Sequence, residues 1–266
     1  MNKKYAAIII IPRIYTYRKL KNDKPMKTKL LIITTTLIAA TVLQFNTATA
    51  KISGDDKKEN RKVSAFSKIS MTVAGDLYLT QGDEYKLVIE GDEDILDDIE
   101  TIVSGDRLKI KYNKPFGFSW NSKKVKIYVT TKEVEELSVS GSGDIIAKTA
   151  IKNDDIAFNI SGSGEIEIED LETTDINASI SGSGDISLGG RKAAESLEIN
   201  ISGSGELHAS NMEIRRAVIS ISGSGSCDVY ISENLEVDVS GSGKVRYKGK
   251  PVIDADISGS GKVVED

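Results

Sequence analysis

Apolar and polar residues alternate strictly around a short motif, Ser-Gly-Ser-Gly, that recurs through the second half of the chain. The residue between the two apolar positions before each motif is polar in every copy. Those apolar positions, three and one before the motif, are Leu137 and Val139, Phe158 and Ile160, Ala178 and Ile180, Ile199 and Ile201, Ile219 and Ile221, Val237 and Val239, and Ala255 and Ile257. A period of two predicts a strand with one buried face.

The motif repeats at a nearly constant distance. Its seven copies begin at Ser140, Ser161, Ser181, Ser202, Ser222, Ser240 and Ser258, with spacings of 21, 20, 21, 20, 18 and 18 residues. A fixed period of this length predicts a solenoid. The alternation resumes after each copy, for example at Ile166 and Ile168, so a coil reads as strand, corner, strand and a less regular third segment. We therefore predict an all-β, right-handed parallel β-helix with about 20 residues per coil, stacked about 4.8 Å apart.

The glycines of the motif are predicted to be structural turns. Glycine tolerates positive φ and leaves room where identical corners stack. The predicted turn residues are Gly141, Gly143, Gly162, Gly164, Gly182, Gly184, Gly203, Gly205, Gly223, Gly225, Gly241, Gly243, Gly259 and Gly261. A flexible linker would not keep an alternating pattern on both sides. A binding role for the stacked Ser/Gly ridge is the alternative to a purely structural corner.

Residues 63–135 lack the motif but are rich in strand patterns. We predict that they form irregular first coils and an N-terminal cap, which precede the repeats of 136–266. Met71–Leu79 is a degenerate copy of the repeat, and the predicted strands are Tyr85–Gly91, Asp106–Tyr112 and Lys123–Thr131. Thr72–Gly75 stands where a motif would be, as a degenerate corner. Asp92–Glu100 predicts a short helix with an acidic first turn, which suits the helix dipole.

The N-terminal 50 residues differ from the rest of the chain. Residues 26–50 combine a short basic start, an apolar stretch and a small-x-small cleavage site, which predicts a signal peptide, with an uncleaved anchor as the alternative. Residues 1–25 are interpreted as a mis-annotated extension, 51–62 as a polar lead-in and 63–266 as one domain. Export to the periplasm, the outer-membrane surface or the medium is expected, with no stable membrane span after cleavage.

The net charge of the chain limits the classes of partner that it can be expected to bind. The chain has 35 basic and 40 acidic residues. Nine of the basic residues and one of the acidic residues lie in 1–50, so residues 51–266 contain 26 basic and 39 acidic residues. This excess of negative charge argues against nucleic acid and anionic membrane surfaces. The single cysteine, Cys227, excludes an internal disulfide, and its place in the apolar pattern predicts a small core residue.

Two groups of residues are candidate binding sites. The position after each motif carries four acids in succession, Asp144, Glu165, Asp185 and Glu206, which are predicted to stack and could bind a cation such as Ca²⁺. A solvated acidic face is the alternative, and no other cofactor is expected. Phe116, Phe118 and Trp120 form one aromatic loop, which is either a ligand-binding tip or part of the cap.

The sequence contains little that indicates a catalytic site. The only histidine, His208, falls on an outward column, and a serine nucleophile needs a base beside it. That second outward column runs Glu167, Ser187, His208, Asp228 and Arg246. Because parallel β-helices host polysaccharide-active enzymes, the column is the one enzyme alternative, and it requires Asp228 and Arg246 to lie close together. We predict that the protein is not an enzyme.

The order of these features resembles a known family. An export signal, a stretch such as DEDILDDIETIVSGDRLKI and repeated SVSGSGDI-type turns are similar to the "putative auto-transporter adhesin, head GIN domain" family, common in Bacteroidetes. The resemblance implies a right-handed parallel β-helix in a secreted or envelope protein, without a catalytic motif. We therefore expect a non-enzymatic module that binds an envelope or extracellular glycan or protein. The alternative is a structural module that self-associates through its C-terminal rung.

Overall fold

The computed structural model of the protein describes residues 56–113 and 125–266, which fall within one compact unit, Gly54–Asp266. This part of the chain is almost entirely β-structure, with one short helix, α1 (Glu93–Leu96). The strands are β1 (Lys57–Arg61), β2 (Lys68–Met71), β3 (Gly75–Gln81), β4 (Lys86–Gly91), β5 (Ile99–Ser104), β6 (Arg107–Tyr112), β7 (Val125–Thr131), β8 (Glu136–Gly141), β9 (Asp144–Ala147), β10 (Ile151–Lys152), β11 (Asp155–Gly162), β12 (Glu165–Ile168), β13 (Leu171–Glu172), β14 (Asp175–Gly182), β15 (Asp185–Gly189), β16 (Ala194–Gly203), β17 (Glu206–Gly223), β18 (Ser226–Gly241), β19 (Lys244–Lys248), β20 (Val252–Gly259) and β21 (Lys262–Glu265).

Two parallel ladders meet at the Ser-Gly-Ser-Gly corners. Strands that lead into the corners form the first ladder, here called face A, in the order β8, β11, β14, β16, the second halves of β17 and β18, and β20. Strands that leave the corners form the second, here called face B, in the order β9, β12, β15, the first halves of β17 and β18, β19 and β21. Corner residues stay in register from rung to rung, as Ser161 with Ser181. The predicted parallel β-helix is confirmed.

A third side closes each coil. It holds the short parallel pair β10 and β13 in the early coils. In the later coils, β17 and β18 run from face B across the third side into face A of the next rung as single strands of 18 and 16 residues. Their register shifts between Ala209 and Glu213 and again between Ile214 and Arg216, which are the bends that a continuous strand needs in order to turn.

The core is a stack of aliphatic columns. The predicted inward residues from Leu137 to Val239 are almost wholly buried, with Phe158 the largest among them. Burial of each Val, Leu, Ile or Phe side chain in these columns stabilises the fold by about 1.5–3 kcal/mol. Ala255 and Ile257 occupy the same columns but are exposed, because the described chain has no rung beyond β20 to cover them.

The N-terminal strands extend both faces by two further rungs. β2 lies between β6 and β8, and β3 lies between β7 and β9. Met71 pairs with Val139 and Leu77 with Ile145, so Thr72–Gly75 occupies the place of a corner. Antiparallel pairings of β4 with β7, β1 with β4, and β5 with β6 then end the ladders.

The helix predicted over Asp92–Glu100 is shorter in the structure. α1 ends at Leu96, and the chain is already in β5 by Ile99. Asp92 caps the helix by accepting a hydrogen bond from the Asp94 amide at 3.2 Å. Pairing of β5 with β6 outweighs the helical pattern of the last residues, because it buries Ile99 in the core.

Candidate binding surface

The two glycines of each corner are needed for different reasons. Gly162 has a φ of 131°, a conformation that side chains rarely adopt. Gly164 is not among the positive-φ glycines, but a Cβ there would lie 2.2 Å from the carbonyl oxygen of Gly143. Between them, the Ser163 amide donates a hydrogen bond of 2.8 Å to the carbonyl of Gly141 on the preceding rung. The backbone ladder therefore continues around the corner, which packs too tightly for side chains at its glycines.

The predicted acidic column is in register on face B. Asp144, Glu165, Asp185 and Glu206 pair directly in successive strands, and Asp76 of β3 adds a fifth acid. Partial burial, and then the charges of Asp144, Glu167 and Asp185, raise the pKa of the Glu165 carboxyl. The acids therefore interact unfavourably along the column.

The same column changes character along the solenoid. The Glu165 amide donates to Asp144 Oδ1 at 3.1 Å. No group of His, Cys, Asp or Glu side chains within 56–113 and 125–266 is arranged to hold a metal ion. After Glu206 the column continues as Ser226, Lys244 and Lys262, so this one column changes from acidic to basic along the solenoid.

The residues that a polysaccharide-active enzyme would use according to the sequence lie side by side in the second outward column of face B. Glu167, Ser187, His208, Asp228 and Arg246 follow one another in neighbouring strands. Arg246 contacts Asp228 through a charged hydrogen bond, which raises the pKa of the arginine. The required proximity of Asp228 and Arg246 is therefore present.

The contacts of His208 oppose a catalytic role for that column. Its Nδ1 lies 3.3 Å from Asp228 Oδ2, and its Nε2 lies 3.3 Å from Glu206 Oε2. Because both ring nitrogens face carboxylates, neither is directed at Ser187 to take its proton. Cys227 is fully buried, and burial raises the pKa of its thiol, so it is no nucleophile either.

A shallow cleft opens where this column meets the third side. The register of β15 against β17 shifts between Ser187 and Gly189, and Gly189 pairs with Asn211. The resulting cleft has a volume of about 370 Å³, and its polar lining is Glu167, Glu169, Ser187, Arg191, His208 and Asn211. The Arg191 side chain is 88% exposed at its rim. The Gly-Gly pair in GGRKAAESL is the sequence signal that could have located this cleft.

An aromatic pair on face B was not predicted. Tyr78 and Tyr128 stack with ring centroids 5.4 Å apart and an interplanar angle of 21°. The Tyr128 hydroxyl donates to Glu90 at 3.1 Å, and the Lys58 ammonium lies 5.8 Å from the ring centroid of Tyr128. The predicted aromatic loop of Phe116, Phe118 and Trp120 lies outside the described residues.

These features define a β-solenoid with a packed interior and columns of polar and charged side chains on its outer faces. The chain belongs to the family described as "Putative auto-transporter adhesin, head GIN domain", whose model matches residues 65–251. The family predicted from the repeats is thereby confirmed. No curated protein matches the chain.

Solved structures show the same fold. A "putative adhesin" from Bacteroides fragilis NCTC 9343 is 27% identical, with a TM-score of 0.76 over 80% of this chain and 98% of its own. A "putative lipid binding protein" from Parabacteroides distasonis ATCC 8503 is also 27% identical, with a TM-score of 0.66 over 80% and 98%. A "putative adhesin" from Parabacteroides merdae ATCC 43184 is 22% identical, with a TM-score of 0.65 over 80% and 97%, and it supports the fold alone.

Proposed function

We propose that the protein is an exported, non-enzymatic, adhesin-like module that binds an extended glycan of the cell envelope or its surroundings along face B. The observation that carries this proposal is the polar cleft beside Ser187 and His208. The cleft is shallow and open, and it continues into the outward columns of face B. A long polymer needs a site of this shape, because it extends beyond any single pocket. Family membership and the adhesin descriptions of its structural relatives support a binding role.

The charge of the surface favours one class of glycan. The acidic column lies beside the cleft, Arg191 stands at its rim, and the carboxylates of Glu167 and Glu169 are paired with Lys148. Acidic polysaccharides would meet repulsion from the carboxylates of the acidic column. Planar amide, guanidinium and carboxylate groups instead suit the hydroxyls of neutral sugars. We therefore expect neutral glycans to be the ligands.

A glycan array probed with the labelled unit Gly54–Asp266 tests the proposal. Neutral glycans should be retained, and Arg191→Ala combined with Asn211→Ala should weaken their binding at least tenfold. Glu198→Ala on face A is the matched control and should bind as the unmodified protein does, because Glu198 lies on an exposed position of the other ladder. Failure to retain any glycan, or equal binding by the double variant, would contradict the proposal.

Two observations bear on the remaining alternatives. One relative is described as a lipid-binding protein, but the described interior of this chain is filled with side chains, so an acyl chain has no room inside the solenoid. The described part of the chain contains no helix with the length and apolarity that crossing a bilayer requires. Fractionation of cells that produce the tagged full chain tests export, and recovery in the cytoplasm alone would refute it.

A further inference from the structure

An apolar stripe runs across the solvent side of face B near its N-terminal end. Val88, Tyr128, Tyr78 and Ile146 pair in that order in the neighbouring strands β4, β7, β3 and β9. None of these four side chains is buried, and Tyr128 is 36% exposed. The solvent side of a sheet ordinarily carries polar residues. Contiguous apolar residues on an outer surface indicate an interaction site more often than scattered ones do.

The stripe continues directly into the cleft. Ile146 pairs with Glu167, Glu167 with Ser187, and Ser187 with His208. The last three of these residues line the cleft. Because neighbouring strands are about 4.8 Å apart, Tyr128 and Ser187 are separated by about 19 Å along the column. The stripe and the cleft therefore form one track that has room for several sugar units.

The stripe is only one side chain wide. The neighbouring outward column on one side carries Glu90, Lys126 and Asp76, and the column on the other side carries Thr130 and Thr80. A membrane surface or an amphipathic helix needs a broader apolar contact than this. A pyranose ring fits the stripe, because its carbon-bound hydrogens form a small apolar patch while its hydroxyls reach the polar groups on either side.

The ring of Tyr128 is held in place by its neighbours. Its hydroxyl donates to Glu90 at 3.1 Å, and Glu90 is itself paired with Lys58 at 3.2 Å. The ring also stacks on that of Tyr78. An aromatic side chain that is already ordered loses little conformational entropy when a ligand packs on it.

We propose that Val88, Tyr128, Tyr78 and Ile146 form an apolar subsite of the glycan track, which binds the sugar units that extend beyond the cleft. The inference rests on the proposed glycan binding and adds to it a preference for long neutral chains. A short glycan occupies the cleft alone. A longer glycan also covers the stripe and buries its own apolar patches there, which strengthens its binding.

A glycan array that carries each neutral glycan as a series from the disaccharide upward tests this subsite on the unit Gly54–Asp266. Tyr78→Thr and Tyr128→Thr keep residues suited to a strand, and each should weaken binding of the long members about tenfold while binding of the disaccharide is unchanged. Tyr128→Phe keeps the ring and should bind the long members as the unmodified protein does. Tyr230→Thr is the matched control, because Tyr230 is a partly buried tyrosine of β18 outside this column, and it should leave all binding unchanged.

The outcomes separate this inference from the proposed function. Retention of no glycan refutes both. Weakened binding by the Arg191→Ala and Asn211→Ala double variant, with unchanged binding of long glycans by the two threonine variants, supports the proposed function and overturns the subsite. An equal loss for short and long glycans also overturns it, as does binding to phosphatidylcholine vesicles that either threonine variant abolishes. Circular dichroism verifies that each variant is folded, and Ile146→Thr at the other end of the stripe replaces a tyrosine variant that is not.

Discussion

Two glycines in equivalent corner positions allow the cost of backbone conformation to be separated from the cost of stacking. Gly141 has a φ of 112° and Gly182 a φ of 123°. A Cβ at Gly141 would have nothing within 4 Å, whereas one at Gly182 would lie 2.4 Å from the carbonyl oxygen of Gly162. The difference arises because the rung beneath Gly141 has the Thr72–Gly75 corner instead of a Ser-Gly-Ser-Gly corner.

Alanine at each position should therefore destabilise the fold by different amounts. Gly141→Ala carries only the strain of an unfavourable φ, about 1–3 kcal/mol. Gly182→Ala carries the same strain and a forced displacement of the neighbouring rung, a further cost of about 1–3 kcal/mol. The loss of unfolded-chain entropy is equal in the two variants and cancels in the comparison.

Equilibrium unfolding in urea, followed by circular dichroism, measures the difference. The unit Gly54–Asp266 should give similar m-values for both variants, and Gly182→Ala should have the lower midpoint. Gly105→Ala serves as a further control, because Gly105 has a φ of 64° in a turn with no atom within 4 Å of its Cβ position. Equal losses at Gly141 and Gly182 would refute the idea that stacking itself requires glycine.

Three further outcomes are expected. Glu165→Gln should raise the free energy of unfolding at pH 7 by about 0.5–1 kcal/mol, because it removes repulsion along the acidic column. The folded-state pKa of Glu165 is raised, so the ionised form is disfavoured in the fold, and the advantage of Gln should vanish as the pH falls below the ordinary value of 4.5. Millimolar calcium should raise the melting temperature no more than sodium at equal ionic strength, because no described carboxylates are arranged as a metal site, and a larger rise with calcium would contradict this. Cys227 should react with a thiol reagent only in denaturant, whereas rapid labelling of the native protein would contradict its burial.

Periodicity was sufficient to predict the neighbours that lie one coil apart. It placed the inward columns, the corners and the Asp144-to-Glu206 column, because each coil repeats the same geometry. It also identified Thr72–Gly75 as a corner. The alternation marks which side chains point inward, and the period marks which of them stack.

Contacts outside that period could not be predicted in the same way. Tyr78 and Tyr128 are 50 residues apart and meet because β7 returns to pair with β3. The cleft depends on a register shift between Ser187 and Gly189, which arises from packing of the third side rather than from the alternation. Ala255 and Ile257 follow the inward pattern but are exposed in the described chain, since alternation predicts the side that a residue faces and not whether another rung covers it.

The position of β2 between β6 and β8 has a consequence for the order of folding. β2 pairs on one side with Arg107–Ile110 and on the other with Glu136–Val139, whereas the strands of later rungs pair with strands about one coil away in the sequence. Closing the longer loops costs more conformational entropy than adding a coil of about 20 residues. The N-terminal rungs should therefore form the slow nucleus, and each later coil should zip onto the rung already in place. In that sequence of events β20 and β21 are the last of the described strands to join the solenoid.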